Sequence, residues 1–183
     1  GVYVEPTAVR KVVDRNGKTV KRFTAEKKAV LSAETSYIMT MLMKDAVEQG
    51  TGQKAKLSQY PVAGKTGTSS DYTNAWFVGY TPQVVTAVWI GNDRQGTPMK
   101  YKERTIGSAT AAQLWSTYMK SAMAGRQVLD FTQPSGIVWA DVDPKTGLVV
   151  PGFFNRDTYQ EVFNGKNIPA SNSYKIWNWF FPD

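Results

Sequence analysis

The chain has 183 residues, with 22 Lys and Arg against 15 Asp and Glu, and it contains neither cysteine nor histidine. Without cysteine there is no disulfide framework, thiol nucleophile or thiolate zinc site, and without histidine there is no Ser-His-Asp triad. Acid–base chemistry must therefore fall to Lys, Asp, Glu or Tyr, and we predict no cofactor and no metal. The length and the 42% hydrophobic content suit one domain with a packed core.

Positive charge is concentrated near the start of the chain. Residues 1–68 hold 12 basic and 6 acidic residues, residues 69–125 hold 5 and 3, and residues 126–183 hold 5 and 6. A basic N-terminal third suits a nucleic acid, an acidic polymer or an anionic membrane surface, but a solvated, mildly basic surface is the favoured explanation. Because no basic motif with stacking aromatics accompanies the charge, we predict no nucleic-acid partner.

The first fifty residues predict a hairpin followed by a helix. Two strand-like runs, 9–14 and 19–23, flank Asn16-Gly17, a pair that supplies the two positive-φ positions of a tight turn. Ser32 is a suitable N-cap for the helix, Gly50 to Gly52 should end it, and Glu34 lies in its first turn. The apolar residues that predict its packed face are Ile38, Met41, Leu42 and Ala46.

Three strands in quick succession are predicted next, at 60–68, 74–80 and 84–91, and their short links favour antiparallel neighbours. A second helix is predicted from Ser108 to Met123, with Gly125 ending it; its expected packed face is Ala111, Leu114, Trp115 and Met119. Trp76, Trp89 and Trp115 are predicted to be core residues. The order of elements predicts an α+β fold, an antiparallel β-sheet with packed helices.

The proline-rich segment 126–183 differs from the rest and predicts short strands and loops, either wrapped on the domain or forming a small appendage. It ends in an aromatic cluster at 177–181, which either packs back on the domain or leads to another module. No apolar run is long enough for a membrane span. Since the chain opens with Gly and not Met, we expect that further sequence precedes it.

Residues 63–70, AGKTGTSS, are the most informative stretch. A phosphate loop would need glycine where Gln59 stands, and a helix after the loop, so that interpretation fails. A purely structural edge strand with glycine at a bulge fits the spacing. A catalytic strand fits as well, because Lys65 would place a cation beside an active serine, Gly67 would let a substrate backbone approach, and nearby threonine hydroxyls would bind a carboxylate.

Seven segments in the same order resemble the C-terminal part of the transpeptidase domain of a class A (bifunctional) penicillin-binding protein. K-T-G belongs, with S-x-x-K and S-D-N, to the signature set of that family and of class A β-lactamases. The matching segments are 1–6 (GVYVEP), 9–17 (VRKVVDRNG), 50–52 (GTG), 63–68 (AGKTGT), 74–82 (NAWFVGYTP), 88–93 (VWIGND) and 111–115 (AAQLW). The resemblance is strong over 1–125 and weak over 126–183, which implies a C-terminal portion of the transpeptidase domain followed by a β/loop extension.

The resemblance implies the serine β-lactamase/penicillin-binding transpeptidase fold, present here as a partial domain, and a function in cross-linking peptidoglycan stem peptides. It implies that the hydroxyls of Thr66 and Thr68 hold the carboxylate of a D-Ala-D-Ala peptide or a β-lactam. It further implies that the Thr68 N–H completes the oxyanion hole, that Gly67 lies against the substrate, and that Lys65 acts electrostatically beside the serine. The location implied is the outer face of the bacterial cell membrane.

Neither S-x-x-K nor S-x-N occurs in the chain. We therefore expect the nucleophile and its lysine on sequence upstream of Gly1, in a companion N-terminal fragment, and we expect the chain alone to be inactive. Ser69 and Ser70 are interpreted as polar residues at a strand end, and Tyr72-Thr73-Asn74 as a turn. The alternative function is a non-catalytic module that binds peptidoglycan or a partner protein.

Overall fold

The computed structural model describes residues 1–94, 96–102, 104–150 and 157–171. Runs of strands are separated by two helices, in the α+β manner that the sequence predicts. The strands are β1 Val2–Val4, β2 Lys11–Val13, β3 Thr19–Arg22, β4 Lys27–Ala29, β5 Ala63–Thr68, β6 Asn74–Tyr80, β7 Val85–Gly91, β8 Lys100–Tyr101, β9 Arg104–Thr105, β10 Ile137–Val142 and β11 Tyr159–Asn164. The helices are α1 Ala33–Glu48 and α2 Ser108–Met123, with one 3₁₀ turn at Gln53–Ala55.

The centre of the fold is an antiparallel sheet of three strands in the order β5-β6-β7. Helix α2 packs across β6 and β7, and α1 packs along β5. Phe77 on β6 meets Trp115 on α2 edge to face, with ring centroids 5.2 Å apart, and both side chains are fully buried. The Trp115 indole N–H donates to the Thr86 carbonyl at 2.9 Å, so its buried polar atom is satisfied.

Both helices begin and end where local signals predict. The Ser32 hydroxyl accepts the Thr35 N–H at the start of α1, and the helix ends at Glu48, just before the predicted glycine stop. Helix α2 has the predicted bounds, and Gly125 follows it with φ of 75°. The packed faces are narrower than predicted, because Leu42 and Leu114 are each 50% exposed.

The first thirty residues form a two-stranded antiparallel ribbon. Strand β1 pairs with β4, and β2 pairs with β3 nearer the turn. The predicted hairpin is therefore confirmed, but the predicted turn type is wrong: Gly17 has φ of 80°, whereas Asn16 has no positive φ. The Asp14 carboxylate accepts the N–H groups of Asn16 and Lys18, which holds a turn with one left-handed position instead of two.

The prediction that three tryptophans lie in the core is correct for one and wrong for two. Trp115 is fully buried, but Trp76 is 44% exposed and Trp89 is 48% exposed. These two lie opposite each other on β6 and β7, on the sheet face turned away from α2, with ring centroids 6.1 Å apart. Side chains alternate between the two faces of a strand, so Phe77 is buried while its neighbour Trp76 is not.

The described part of the C-terminal segment packs on the domain. Strands β10 and β11 pair antiparallel along their whole length. Ile137 and Val162 from this pair bury against Met41 of α1, and Phe131 meets Tyr80 of β6 edge to face at 5.6 Å. These contacts favour the wrapped arrangement over a separate appendage. The aromatic cluster at 177–181 lies outside the described residues.

Candidate active site

The four residues Lys65, Thr66, Gly67 and Thr68 occupy most of β5, which is an edge strand of the central sheet. Strand alternation places Lys65 and Gly67 on one face, and Thr66 and Thr68 on the other. Thr68 and Lys65 are exposed, whereas Thr66 and Gly67 are partly buried. The structure therefore brings the predicted site residues to an accessible edge, where the side chains of Lys65 and of the two threonines leave opposite faces of one strand.

The backbone of β5 directs its free polar groups to that edge. The Ser69 N–H donates to the Asn74 carbonyl at 3.0 Å, and the pairing of β5 with β6 continues without a shift from this bond to Ala63 and Tyr80. In an antiparallel pair, successive residues direct their backbone groups to alternate sides. The N–H groups of Thr68 and Thr66 consequently face away from β6, where no strand of the described sheet pairs with them.

The side chain of Lys65 bends over the same edge. Its Nζ donates to the Thr66 carbonyl oxygen at 3.1 Å and lies 3.4 Å from Thr66 Oγ1. The Thr66 hydroxyl also forms a 2.7 Å hydrogen bond with the hydroxyl of Thr51. Thr51 belongs to the Gly-Thr-Gly segment 50–52, and sequence reasoning assigned it no contact with the site. Its spacing from Thr66 offers no signal, because the contact forms only when α1 packs along β5.

Beside Thr68 lies an open groove of about 440 Å³. One wall is the end of β5 and the loop after it, and the other is the beginning of α2; its lining residues are Thr68, Ser69, Ser70, Tyr72, Gly107, Ser108 and Ala109. Gly107 caps α2 without a side-chain hydrogen bond, so no side chain of the cap occupies the first-turn N–H groups. The positive end of a 16-residue helix therefore faces the groove beside the Thr68 hydroxyl, an arrangement that favours an anion.

The serines beside the strand are held in a turn. Ser69 Oγ accepts the N–H groups of Thr73 and Asn74, each at 3.0 Å, and forms a 3.1 Å hydrogen bond with the Thr73 hydroxyl. The hydroxyls of Ser69 and then Thr73 lower the pKa of the Asp71 carboxyl below its ordinary value. No lysine contacts Ser69 among the described hydrogen bonds, so Ser69 lacks the paired lysine that would make it resemble an S-x-x-K serine. The predicted turn at residues 72–74 is present, with Tyr72 at φ of 56°.

Gly67 has free space where a side chain would stand, whereas Gly64 is closely packed. A Cβ built on Gly67 would meet only the Trp76 Cβ, at 3.5 Å, which is an ordinary contact. A Cβ on Gly64 would lie 2.7 Å from the Phe77 ring and 2.8 Å from the Val78 carbonyl. The first glycine thus has room for a methyl group on its face of β5, whereas the second allows the strand to pack on the core.

The part of the chain that the structure describes has neither a metal-binding cluster nor a membrane-spanning helix. No group of three or more His, Cys, Asp or Glu residues is placed to hold a metal ion there. None of the helices described is long and apolar enough to cross a membrane.

Comparison with known proteins identifies relatives of most of the chain. The family model of the penicillin binding protein transpeptidase domain matches residues 1–115. Penicillin-binding protein 1A of Clostridium acetobutylicum is 42% identical over 138 residues, which cover 75% of this chain and 16% of that protein. Penicillin-binding protein 1A of Clostridium botulinum strain Langeland is 38% identical over 176 residues, covering 93% and 21%. The chain thus spans about a fifth of the length of these relatives.

Solved structures of penicillin-binding proteins also match this chain. The crystal structure of penicillin-binding protein 1A from Haemophilus influenzae matches 91% of this chain and 30% of its own, with a TM-score of 0.73 and 22% identity, so it shows the fold. PonA1 from Mycobacterium tuberculosis, solved in complex with penicillin V, matches 74% of this chain and 37% of its own, with a TM-score of 0.57 and 27% identity. The predicted transpeptidase fold and the predicted family are confirmed, and the chain belongs to the penicillin-binding protein transpeptidase domain family.

Proposed function

We propose that this chain is part of a serine D-Ala-D-Ala transpeptidase that cross-links peptidoglycan stem peptides and is acylated by β-lactams. The attacking serine forms an ester with the penultimate D-Ala carbonyl, and the terminal D-Ala leaves as the amine. An acceptor amine then attacks that ester and restores the serine hydroxyl. The membership of the family supports this function, as does the open edge of β5, where a hydroxyl, a backbone N–H and a helix N-terminus meet.

Thr68 is the residue to which we assign most of the binding. Thr68 lines the groove beside the beginning of α2, where a substrate carboxylate is favoured by the helix dipole. Its N–H faces the unpaired edge of β5, the direction from which a carbonyl approaches, so it completes the oxyanion hole. Thr66 adds a second hydroxyl, which its hydrogen bond to Thr51 holds in place, and Gly67 leaves room for the substrate backbone.

Lys65 supplies positive charge without being the nucleophile's own base. Its Nζ lies over the edge of β5, against the Thr66 carbonyl. An ammonium group there favours an anionic substrate and steadies the charge that develops when a serine attacks. We assign Lys65 and Thr68 to the catalytic set, with Thr66, Gly67 and Thr68 as the substrate-binding set.

The serine and its lysine are proposed to lie on a companion N-terminal segment of the same protein. The sheet face that carries Lys65 also carries exposed Trp76, Val78 and Trp89, the last two 44% and 48% exposed. Apolar area of this kind is rarely left open to water in a soluble protein. A segment that covers it would bring its own side chains to the edge of β5. We assign residues 1–125 to the transpeptidase portion and residues 126–183 to an extension. The proposed location of the protein is the outer face of the cell membrane.

The test is the rate at which a fluorescent penicillin acylates the parent protein. Thr68→Ala removes one hydrogen bond to a charged group, which is worth about 1.5–3 kcal/mol, so the second-order rate should fall by about 10–100-fold. Thr19→Ala makes the same chemical change on the exposed ribbon and should alter the rate by less than about twofold. Equal rates for Thr68→Ala and the unmodified protein would contradict the proposal. A parent protein without S-x-x-K and S-x-N would favour the binding-module alternative.

A further inference from the structure

The N-terminal ribbon, defined as the antiparallel pair of segments 2–14 and 18–29 with its turn, carries most of the net charge of the chain. Residues 2–29 contain eight Lys and Arg against three Asp and Glu, so this ribbon holds five of the seven net positive charges. All eight cations are exposed to solvent; they are Arg10, Lys11, Arg15, Lys18, Lys21, Arg22, Lys27 and Lys28. The transpeptidase function proposed above makes no use of them.

The acidic residues of the ribbon form no ion pair with these cations among the described residues. Within the described residues, the one ion pair is Lys44 with Glu48, on α1. The Asp14 carboxylate is engaged by backbone N–H groups of the turn, at 2.8 and 2.9 Å. The other two acidic residues, Glu5 and Glu26, lie opposite each other on the two strands, where the Glu5 N–H donates to the Glu26 carbonyl. The half of the ribbon nearest the turn is therefore a nearly unneutralised block of positive charge, which attracts polyanions.

The cations are distributed over both faces of the ribbon. Residues directly opposite each other share a face, and successive pairs alternate. Lys11 stands opposite Arg22, whereas the next pair, on the other face, is Val12 with Lys21. The pattern repeats nearer the base, where Lys28 and Lys27 are successive residues and so point to opposite faces. At about 3.3 Å per residue, the eight cations extend over roughly 30 Å.

This distribution decides between possible partners. A flat bilayer surface contacts one face of the ribbon, so it would leave the cations of the other face unused, and no face is purely apolar because valines and cations share both faces. Single-stranded nucleic acid gains much of its affinity from bases stacked on aromatic rings. Of the two aromatic residues of the ribbon, Phe23 has its ring covered by Lys21 Nζ at 4.8 Å from the centroid. A thin, flexible polyanion can contact both faces of the ribbon, and its binding needs neither a separate apolar face nor exposed aromatic rings.

We propose that the N-terminal ribbon binds a linear polymer whose repeating unit carries a phosphodiester and no aromatic base. Guanidinium and ammonium groups both donate to phosphate oxygens, and the ribbon offers three Arg and five Lys. Because the polymer is a polyanion, its binding releases counterions and weakens steeply with salt. This function is separate from catalysis, since the ribbon packs mainly on itself and the site lies on β5.

The test measures binding of a synthetic poly(glycerol phosphate) to the full chain over a range of salt concentrations. The ribbon variant replaces four cations near the turn by glutamine, namely Arg15→Gln, Lys18→Gln, Lys21→Gln and Arg22→Gln. The matched control removes the same number of charges from exposed lysines elsewhere, namely Lys54→Gln, Lys100→Gln, Lys120→Gln and Lys145→Gln. Each lost phosphate contact lowers the slope of log affinity against log salt by about 0.7–0.9, so the ribbon variant should lose roughly 3. The control should keep its slope.

Two comparison ligands distinguish the proposed polymer from a nucleic acid and from a membrane. Oligothymidylate with the same number of phosphates tests nucleic acid, and vesicles of phosphatidylglycerol test a membrane. We expect the glycerol polymer to bind at least as tightly as oligothymidylate and at least tenfold more tightly, per phosphate, than vesicles. No binding of the polymer at low salt, equal losses in the two quadruple variants, or tenfold preference for either comparison ligand would overturn the proposal. None of these outcomes bears on penicillin acylation, so the two proposals stand or fall separately.

Discussion

Replacing Gly64 by alanine should destabilise the fold, whereas the same replacement at Gly67 should not, although the two lie on one strand. At position 64 the new Cβ would lie 2.7 Å from Phe77 Cζ, 2.8 Å from the Val78 carbonyl oxygen and 2.9 Å from Gly79 Cα. Real Cβ atoms do not approach that closely, and two of these neighbours are backbone atoms that cannot rotate away. The strand must therefore shift or the Phe77 ring must leave its contact with Trp115.

The magnitude follows from two opposing effects. Overpacking of this kind costs about 1–3 kcal/mol, and the loss of glycine's freedom in the unfolded chain returns about 0.4–1 kcal/mol. Gly64→Ala should therefore lower the free energy of unfolding by about 1.3 kcal/mol at the midpoint of these ranges and by about 2.6 kcal/mol at most, which is roughly 3–10 °C in Tm for a chain of this size. Gly67→Ala meets one atom at an ordinary 3.5 Å, so its stability should stay within about 1 kcal/mol of the unmodified chain.

The assay is thermal unfolding of both variants followed by far-ultraviolet circular dichroism, with urea unfolding as a second measurement. In the parent protein, Gly67→Ala should also slow penicillin acylation, because its methyl group would stand where the substrate backbone approaches. The reasoning would be refuted by a Gly64→Ala variant as stable as the unmodified chain. It would equally be refuted if the two variants lost stability to the same extent.

Three further predictions concern packing, capping and charge. Trp115→Ala should destabilise the chain by about 3–5 kcal/mol, since the side chain is fully buried and its N–H is bonded; Tyr118→Ala, an exposed position on the same helix, should cost less than about 1 kcal/mol in urea unfolding. Ser32→Ala should cost about 1 kcal/mol and Ser32→Gly only a few tenths, because serine caps α1; equal stability of Ser32→Ala and the unmodified chain would contradict this. The pKa of Asp71 is lowered by the hydroxyls of Ser69 and Thr73, so this carboxylate stabilises the fold above its ordinary pKa of 3.8 and stops doing so as the pH falls through the lowered value. Asp71→Asn should remove that acid-dependent part of the stability in unfolding measured between about pH 2 and pH 6, and an unchanged pH profile would count against the contact.

Elements with strong local signals were predictable from the sequence. Helix α2 from Ser108 to Met123 and strand β6 from Asn74 to Tyr80 have the predicted bounds, because helical spacing and a run of strand formers mark them. The hairpin was predictable from its Asn-Gly pair, but its turn type was not, since Asp14 captures the backbone N–H groups of the turn with its carboxylate. Side-chain capture of this kind changes dihedral angles without changing the pairing of the strands.

Burial was the less predictable property. Alternation along β6 and β7 shows that Trp76 and Trp89 share a face, yet it does not say whether anything covers that face. Phe77, Ala75 and Gly79 fall on the face that α2 covers, and that choice depends on how a distant helix packs. Tertiary packing therefore decides burial where both faces of a strand carry large apolar residues.

In the candidate site, too, one part was predictable from the sequence and another part was not. The strand that carries Lys65 and Thr68 was predictable, because its residues form a recognisable set. The contact of Thr51 with Thr66 and the approach of the α2 N-terminus to Thr68 were not, since they join residues 15 and about 40 positions apart. Such contacts arise from the packing of α1 and α2 on the sheet and leave no periodic mark in the sequence.

The most direct test of the account is to find which serine penicillin acylates. The parent protein, with any processed fragments, is labelled with fluorescent penicillin, digested and mapped by peptide mass. We expect the label on a serine in an S-x-x-K sequence outside these 183 residues, and we expect Thr68→Ala to slow its appearance. A label on Ser69, Ser70 or any other serine of this chain would contradict the central claim that it supplies the KTGT edge of the site and not the nucleophile.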